Sequence, residues 1–375
     1  MKSCRHLRTR LHCLIWNGLF ALATAGSCVA AEPPDTAIDE TRPPELFAAL
    51  RPEDAFEEST GSEADAEDRT RPAPLRKRSG GSGRPGGDPP GYSLTWSPSQ
   101  SVSRGDGDLS VLRQSLSAAA PVWTGDGEAL MFSVGVRNLH FDGDVTLPDS
   151  GTAFPDELWN INFGLNYRRQ FENGWSGMLM TGFGSASDDP FRSADVLNGM
   201  IGGSVVIPAR NERDAWNLGA IYLPTGALNF PLPIVAYRWN PSDVFQMNVG
   251  VPFSMTWRPT PEWNVNLTYA PVTNVNARAS YQVSESVAVF AAYENQTDSY
   301  LLADRERSRD RFFAMEQRLV SGCEWRFTQW LTGNVNAGYA FGRRFGEGEN
   351  QGDDLRDKIT IDAGPFAGLQ LLLTF

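Results

Sequence analysis

From Tyr92 onward, apolar and polar residues alternate with a period of two, and this alternation limits the possible folds more than any other feature. Between Trp159 and Tyr167 the odd positions are apolar or aromatic and the even positions are Asn or Gly. The pattern recurs in 245–251, 263–269 and 335–341, and no segment of comparable length in 92–375 has a helical period. A period of two is typical of a strand with one apolar and one polar face. The chain is therefore predicted to be all-β.

Short polar connections recur at 172–174, 240–243, 259–262, 284–286 and 328–329, and longer polar loops at 142–157, 185–194, 297–311 and 344–358. In outer-membrane barrels the short turns lie at one end and the long loops at the other. Residues 92–375 are thus predicted to form a closed antiparallel transmembrane β-barrel of about 14–16 strands. The count is 16 if tight turns interrupt 251–253 and 271–274, and 14 if both segments are continuous.

Aromatic residues flank the short turns, as Trp257 and Trp263 do at one turn and Trp325 and Trp330 at another. Trp prefers the headgroup level of a bilayer, so this belt favours a membrane barrel over a soluble β-sandwich, whose large aromatics lie mid-strand. No stretch after residue 31 has 18 consecutive apolar residues, which excludes a helical membrane protein.

The final segment alternates again after Gly368, through Leu373 to a terminal Phe375. This ending is similar to the C-terminal strand signal that the barrel-insertion machinery of bacteria reads. We therefore expect the outer membrane of a bacterial cell envelope as the location, with outer-membrane lipid and that machinery as partners.

The N-terminal residues are predicted to lie outside the barrel. Residues 1–31 have a basic start, a short apolar stretch and small residues, which is typical of a secretory signal peptide. The alternative is a lipoprotein leader with Cys28 lipidated. Residues 32–91 are first acidic and then basic and rich in Gly and Pro, which predicts disorder. This segment is interpreted as a solvated spacer, or alternatively as an arm that binds a periplasmic partner.

Strand parity predicts a polar interior with charges of both signs. The residues predicted to line it are Asn160, Asn162, Asn166, Arg168, Arg238, Asn248, Asn264, Asn266, Arg278, Glu294, Glu316, Arg318, Glu324, Asn334 and Asn336. Such a lining fits a water-filled pore for small polar solutes. It also fits a plugged barrel in which the Arg–Glu pairs, such as Glu316 with Arg318, satisfy one another.

Few residues in the sequence suit a chemical step. After leader removal the chain has one histidine, His140, near the outer end of a strand, and one cysteine, Cys323, on the outward parity. Acidic residues in two outer loops, 142–149 and 353–354, match no calcium-loop spacing. No enzyme activity, cofactor or metal is predicted. The formal charge of −12 argues against a nucleic-acid partner.

The segments GVPF at 250–253, WRPTPEW at 257–263, YAPVTNVNAR at 269–278 and GYAF at 338–341 carry a family resemblance. The chain resembles an uncharacterised, porin-like family of outer-membrane β-barrels, a domain of unknown function. The resemblance covers residues 92–375 and implies the fold and the location, but no activity.

The function predicted from these observations is a passive or weakly selective pore for small polar solutes. The alternative is a closed structural or adhesion barrel that works through its outer loops or its periplasmic tail. A third hypothesis, a barrel enzyme that acts on lipid, depends on His140 alone.

Overall fold

The computed structural model describes residues 90–374 except 104–106, 212, 224–229, 271–273, 306 and 352–353. The predicted signal peptide, nearly all of the predicted tail and the terminal Phe375 lie outside the described residues. The described chain consists of β-strands, their connections and one short 3₁₀ turn, Ala194–Val196. Within it, no helix has the length and apolar character needed to cross a bilayer.

Strands follow one another along the whole described chain. They are β1 (Gly91–Ser103), β2 (Asp108–Gly125), β3 (Glu128–Asp142), β4 (Glu157–Gln170), β5 (Ser176–Ser187), β6 (Leu197–Pro208), β7 (Ala215–Tyr222), β8 (Leu232–Ser242), β9 (Phe245–Val251), β10 (Phe253–Trp257), β11 (Trp263–Ala270), β12 (Asn274–Gln282), β13 (Val287–Tyr300), β14 (Arg311–Arg326), β15 (Leu331–Gly348), β16 (Arg356–Ile361) and β17 (Gly364–Leu373). The alternating segments of the sequence fall in β4, β9, β11 and β15.

The strands form one closed antiparallel ring. Each strand from β1 to β15 pairs with the next along the chain, and β1 closes the ring by pairing with β16 and β17. Because β16 and β17 both lie between β15 and β1, they occupy a single position. The barrel therefore has 16 positions, which confirms the predicted closed barrel and the upper strand count.

Both breaks between strands on which that count depended are present. β9 ends at Val251 and β10 begins at Phe253, while β11 ends at Ala270 and β12 begins at Asn274. At the other boundary, β1 begins at Gly91, one residue inside the segment assigned to the tail.

The connections divide between two ends of the barrel. Gly91 and Leu372 pair beside the short connections, and we call this end the turn end. The opposite end, called the loop end, carries the long connections, among them 143–156 between β3 and β4 and 301–310 between β13 and β14. The predicted segregation of short turns from long loops is thus observed.

Contacts across the ring identify the interior face. Arg113 of β2 and Arg137 of β3 both reach Asp298 of β13, which lies five and six strand positions away around the ring. The outer face carries large exposed apolar side chains such as Phe183 and Val249. Alternate residues therefore face the interior and the surroundings, as the period of two requires.

The wall is not equally tall on all sides. Strands β7–β12, called the short wall, have 5 to 11 residues each. On the opposite side, β2 and β15 each have 18 residues and β14 has 16. The long strands extend past the short wall at the loop end, and this extension creates space for a hydrophobic core.

Buried apolar residues are concentrated inside the loop end. We call the larger cluster the apolar cap. Its members are Val102, Leu109, Val111, Leu139, Phe141, Val145, Leu147, Phe154, Leu158, Ala186, Tyr300, Leu302, Phe312, Ala314, Phe345, Ile359 and Ile361. They come from the interior faces of the long strands and from the two loops that fold between them. The loop end of the interior is consequently filled with apolar side chains.

Candidate functional site

The strand registers place all of the residues predicted to line the interior on one face. Asn160 pairs with Arg137, Arg278 with Asn266, and Glu294 with Arg318, so these positions share the face that contains Arg137. The remaining residues of the set follow by the same registers around the ring. Their surroundings differ along the barrel axis and between the two walls.

The apolar cap closes the loop end above the long strands. The β3–β4 loop turns inward, and its Phe154 ring contacts Phe141, Phe312 and Phe345 with centroid distances of 5.0, 5.6 and 5.5 Å. Val145 and Leu147 of the same loop are buried beside them. Edge-to-face aromatic packing of this kind adds stability beyond area burial. The cap was not predicted from the sequence.

Two sets of polar contacts hold the loops around the cap. Asp357 of β16 accepts hydrogen bonds from the backbone N–H groups of Asp149 and Ser150, each at 2.8 Å, and its own N–H donates to Asp149 Oδ2 at 2.7 Å. Across the mouth, the Leu301 N–H donates to the Ala186 carbonyl at 2.7 Å. The β3–β4 and β13–β14 loops are thereby fixed to the wall strands.

A charged layer lies below the cap, on the side of the turn end. Glu316 contacts Arg318 and accepts from Arg343 Nε at 3.1 Å, while Arg113 Nη2 lies 4.0 Å from its carboxylate. Asp298 binds Arg113 at 3.2 Å and Arg137 at 2.7 Å. We call Arg113, Arg137, Arg318 and Arg343 the arginine cluster. The Glu316 and Arg343 side chains are 7% and 1% exposed, so this layer is deeply buried on the side of Arg343.

Two β-bulges aim side chains into this layer. One lies between Ser97 and Gln100 in β1, and the other follows the left-handed Gly342 (φ 58°) in β15. Arg343 Nη1 then donates to Gln100 Oε1 at 2.6 Å. A bulge reverses the inward and outward parity of the residues after it. Gly364 leaves room for this contact, because a Cβ there would lie 2.5 Å from the Gln100 side chain.

Below the charged layer, cations stack on interior aromatic rings. Arg278 Cζ lies 3.6 Å from the centre of the Phe290 ring, and the same guanidinium binds Glu324 at 2.7 Å. Arg318 Cζ lies 5.1 Å from the Phe366 ring. Phe290 and Phe366 belong to a second buried apolar cluster with Ala292, Val320 and Ala340. The interior beside β13–β17 is therefore mixed in character rather than uniformly polar.

The interior of the short wall has a different lining. Asn248 donates to Ser254 Oγ at 2.6 Å, and Thr256 donates to Asn266 at 3.0 Å, so these hydrogen bonds join neighbouring strands. Asn248, Asn264 and Asn266 are all only partly buried. Small polar groups that remain accessible are the expected lining of a wet passage.

A buried carboxylate organises the turn end beside the short wall. Asp214, in the β6–β7 connection, accepts hydrogen bonds from the Asn240 N–H, the Tyr237 hydroxyl and the Asn211 amide, each at 2.7 Å. Burial raises the pKa of Asp214, but these three hydrogen bonds outweigh it and hold the pKa below its usual value. The carboxylate therefore remains ionised and joins two adjacent turns.

The residues considered for a chemical step lie apart from the interior. His140 pairs with Glu157 on the outer face, with Nδ1 3.4 Å from Oε1. Cys323 is half-buried, in register with the exposed Val335. Among the described residues, no group of three or more His, Cys, Asp or Glu side chains is placed to hold a metal ion.

Strand parity found some members of the charged layer and missed others. Glu316 and Arg318 belong to the predicted lining, whereas Arg113, Arg137 and Asp298 do not. β2 and β3 have their interior residues at odd positions, so a list restricted to even positions omits both arginines. Arg343 was missed because of the bulge. The signal for it was Gly342, since a glycine directly before a charged residue inside a strand is typical of a bulge.

Several solved structures of outer-membrane proteins are distantly similar to this chain. The β domain of the Bordetella autotransporter Brka is 10% identical over 76% of this chain and 99% of its own, with a TM-score of 0.29. Outer membrane phospholipase A from Escherichia coli is 11% identical over 76% and 91%, with a TM-score of 0.30. An outer membrane channel from Pseudomonas putida F1 is 9% identical over 77% and 97%, with a TM-score of 0.31. Likeness this remote says nothing about function.

No curated protein sequence matches the chain. A family model does match it, over residues 147–351, which is more than half of the chain and runs from the β3–β4 loop into the β15–β16 connection. The protein belongs to the family described as Domain of unknown function (DUF6268).

Proposed function

We propose that this barrel spans the outer membrane of a bacterial cell envelope and conducts small polar solutes without a chemical step. The passage runs along the interior of the short wall, past Asn248, Asn264 and Asn266. The observation that supports it is the contrast between the two walls. The tall side is filled by the apolar cap and the arginine cluster, whereas on the short wall the partly exposed Asn248 and Asn266 side chains hydrogen-bond only to neighbouring strands.

The outer face supports the membrane location. Exposed tryptophans form a belt around the turn end, and they are Trp123, Trp175, Trp216, Trp239, Trp257, Trp263, Trp325 and Trp330. Exposed Leu, Val, Ile and Phe side chains follow on the strands above them. Aromatics at one depth beside an apolar band are typical of a barrel held in a bilayer.

Accessibility of single cysteines tests the passage. In a Cys323→Ser background, Asn266→Cys places a thiol on the interior of β11, and Leu267→Cys places one on the outer face next to it. A charged thiol reagent added to a planar bilayer is expected to reduce the current through the first variant and leave the second unchanged.

The same experiment distinguishes the alternative of a closed structural barrel, which the apolar cap favours. A barrel closed at both walls gives no current before the reagent is added. Folding is checked independently by the heat-dependent gel mobility of the protein. A folded barrel that shows no current overturns the proposed conduction.

A further inference from the structure

One interior ion pair lies beside the short wall and remains partly accessible. Arg278 Nη2 is 2.7 Å from Glu324 Oε1, and the two side chains are 15% and 25% exposed. The Glu316 and Arg318 side chains, by contrast, are only 7% and 9% exposed within the charged layer. Arg278 is in register with Asn266, a residue of the proposed passage. The Arg278–Glu324 pair is therefore placed where a passing ion would meet it.

The Arg278 side chain reaches away from the short wall. Arg278 belongs to β12 and its partner Glu324 to β14, while Phe290 of the intervening β13 lies beneath the guanidinium. The Arg278 Cζ atom is 3.6 Å from the centre of the Phe290 ring. A cation is attracted to the face of an aromatic ring, so two separate contacts hold the guanidinium to the wall.

Glycines allow the aromatic rings to lie close to the wall. Gly322 is in register with Phe290, and a Cβ at Gly322 would lie 2.8 Å from the ring. The same construction occurs at Gly338, where a Cβ would lie 2.8 Å from the Phe366 ring that Arg318 covers. A glycine inside a strand often marks such a close approach to the backbone. The rings therefore leave depth in the interior for the guanidinium groups above them.

We infer that the Arg278–Glu324 pair determines the charge selectivity of the passage, and that the intact pair keeps this selectivity weak. The inference rests on the proposed conduction. Charged side chains in the lining of a pore decide which sign of ion passes. In the intact pair the carboxylate of Glu324 balances the guanidinium of Arg278. Loss of either partner leaves the charge of the other uncompensated beside Asn266.

The ratio of anion to cation permeability tests the inference. It is obtained from the reversal potential of the protein in a planar bilayer across a gradient of dilute salt. Glu324→Gln is expected to shift the ratio roughly threefold toward anions, and Arg278→Gln by a similar factor toward cations, as expected for one unit charge a few ångströms from the path of the ion. The double substitution is expected to restore the wild-type ratio.

The Glu128–Arg169 pair on the outer face provides a matched control. Arg169 Nε is 3.1 Å from Glu128 Oε1, and Arg169 Cζ is 5.4 Å from the Phe171 ring, so the chemistry is the same. The two residues are in register at the turn end, on the parity opposite to that of Arg137. Glu128→Gln is therefore expected to leave the permeability ratio at its wild-type value.

A thiol at position 324 gives a second measurement within one folded protein. In a Cys323→Ser background, Glu324→Cys is expected to be anion-selective. A negatively charged thiol reagent should then return the ratio toward the wild-type value, whereas an uncharged reagent should not. A conducting barrel whose ratio changes in neither experiment overturns this inference and leaves the proposed conduction intact. A folded barrel that shows no current overturns both.

Discussion

Single residues in this barrel act mainly through the polar groups that they satisfy. Asp214 is the clearest case, because one carboxylate accepts three hydrogen bonds at the turn end. Its pKa is lower in the folded chain than its usual value. The stability that it contributes is therefore complete above the unfolded pKa, about 3.9, and is lost as the pH falls through the folded pKa.

Asp214→Asn is expected to lower the urea midpoint at pH 7 and to remove part of the loss of stability below about pH 4. Asp243→Asn is the matched control, since Asp243 pairs with Arg213 at the same end but is almost fully exposed. Equilibrium unfolding of both variants in lipid or detergent micelles at pH 7 and pH 3 measures the difference. Equal effects of the two substitutions would contradict a special role for Asp214.

Residue-level prediction from the sequence worked where the strands are regular. Strand parity correctly placed the Glu316 and Arg318 side chains on the same interior face, because the pairing of β14 with β13 is regular between them. It failed at Arg343, since a one-residue bulge reverses every later assignment and only the neighbouring strand shows where the bulge lies.

At the scale of elements, the β3–β4 loop fills the loop end beside the long strands. Phe154 is 5% exposed and contacts three aromatic rings of the cap. Phe154→Ala is expected to lower the free energy of unfolding by about 3 kcal/mol through loss of packing and creation of a cavity. Under the proposed function it is also expected to increase the single-channel conductance.

Phe183→Ala is the control for Phe154→Ala, because Phe183 is half exposed on the outer face of β5. Phe183→Ala should change neither the conductance nor the free energy of unfolding by a comparable amount. A Phe154→Ala barrel of unchanged stability would show that the cap does not depend on this ring.

The contact between Asp149 and Asp357 gives a second prediction for the loop. Asp357 has a left-handed backbone (φ 50°) and receives two N–H groups. Asp357→Ala loses the Oδ1 atom that accepts both hydrogen bonds, and it is expected to cost about 1–3 kcal/mol and to make 143–156 sensitive to protease. Asp357→Asn keeps an acceptor oxygen and tolerates this backbone conformation, so limited proteolysis should resemble that of the wild type.

The strands and turns were largely predictable from the sequence, whereas the side chains that fill the barrel interior were not. Alternation in β4, β9, β11 and β15 reports which residues share a face, and that is sufficient to identify strands and turns. It does not report what fills the barrel. The signal for the cap was a group of apolar residues near the loop end. They are Leu139 and Phe141 at the end of β3, and Val145, Leu147 and Phe154 in a loop that was assigned as polar.

At the scale of the whole molecule, the defining feature is closure of the ring between β1 and β17. Leu94 of β1 is in register with Leu369 of β17. In a Cys323→Ser background, cysteines at these two positions are expected to form a disulfide on mild oxidation, because registered Cα atoms lie within bridging distance. A gel shift that is reversed by reductant measures the link.

Cysteines at Leu94 and Val335 are the control for the seam. Val335 pairs with Leu369, so it lies two strands from Leu94 and too far away to bridge. Equal crosslinking of both pairs, or of neither, would contradict a ring closed in this register. Closure, a count of about 14–16 strands and membership of an uncharacterised family were all predicted from the sequence and are confirmed, with 16 as the count.

The unequal wall also has a consequence for the surrounding lipid. The five residues of β10 span roughly 17 Å even when fully extended, whereas the apolar band of an outer-membrane barrel is about 25 Å tall. In the proposed location, this hydrophobic mismatch is confined to the flank of β7–β12. Acyl chains there must shorten or splay, while those beside β2 and β15 need not. The barrel would therefore impose a gradient of bilayer thickness around its circumference.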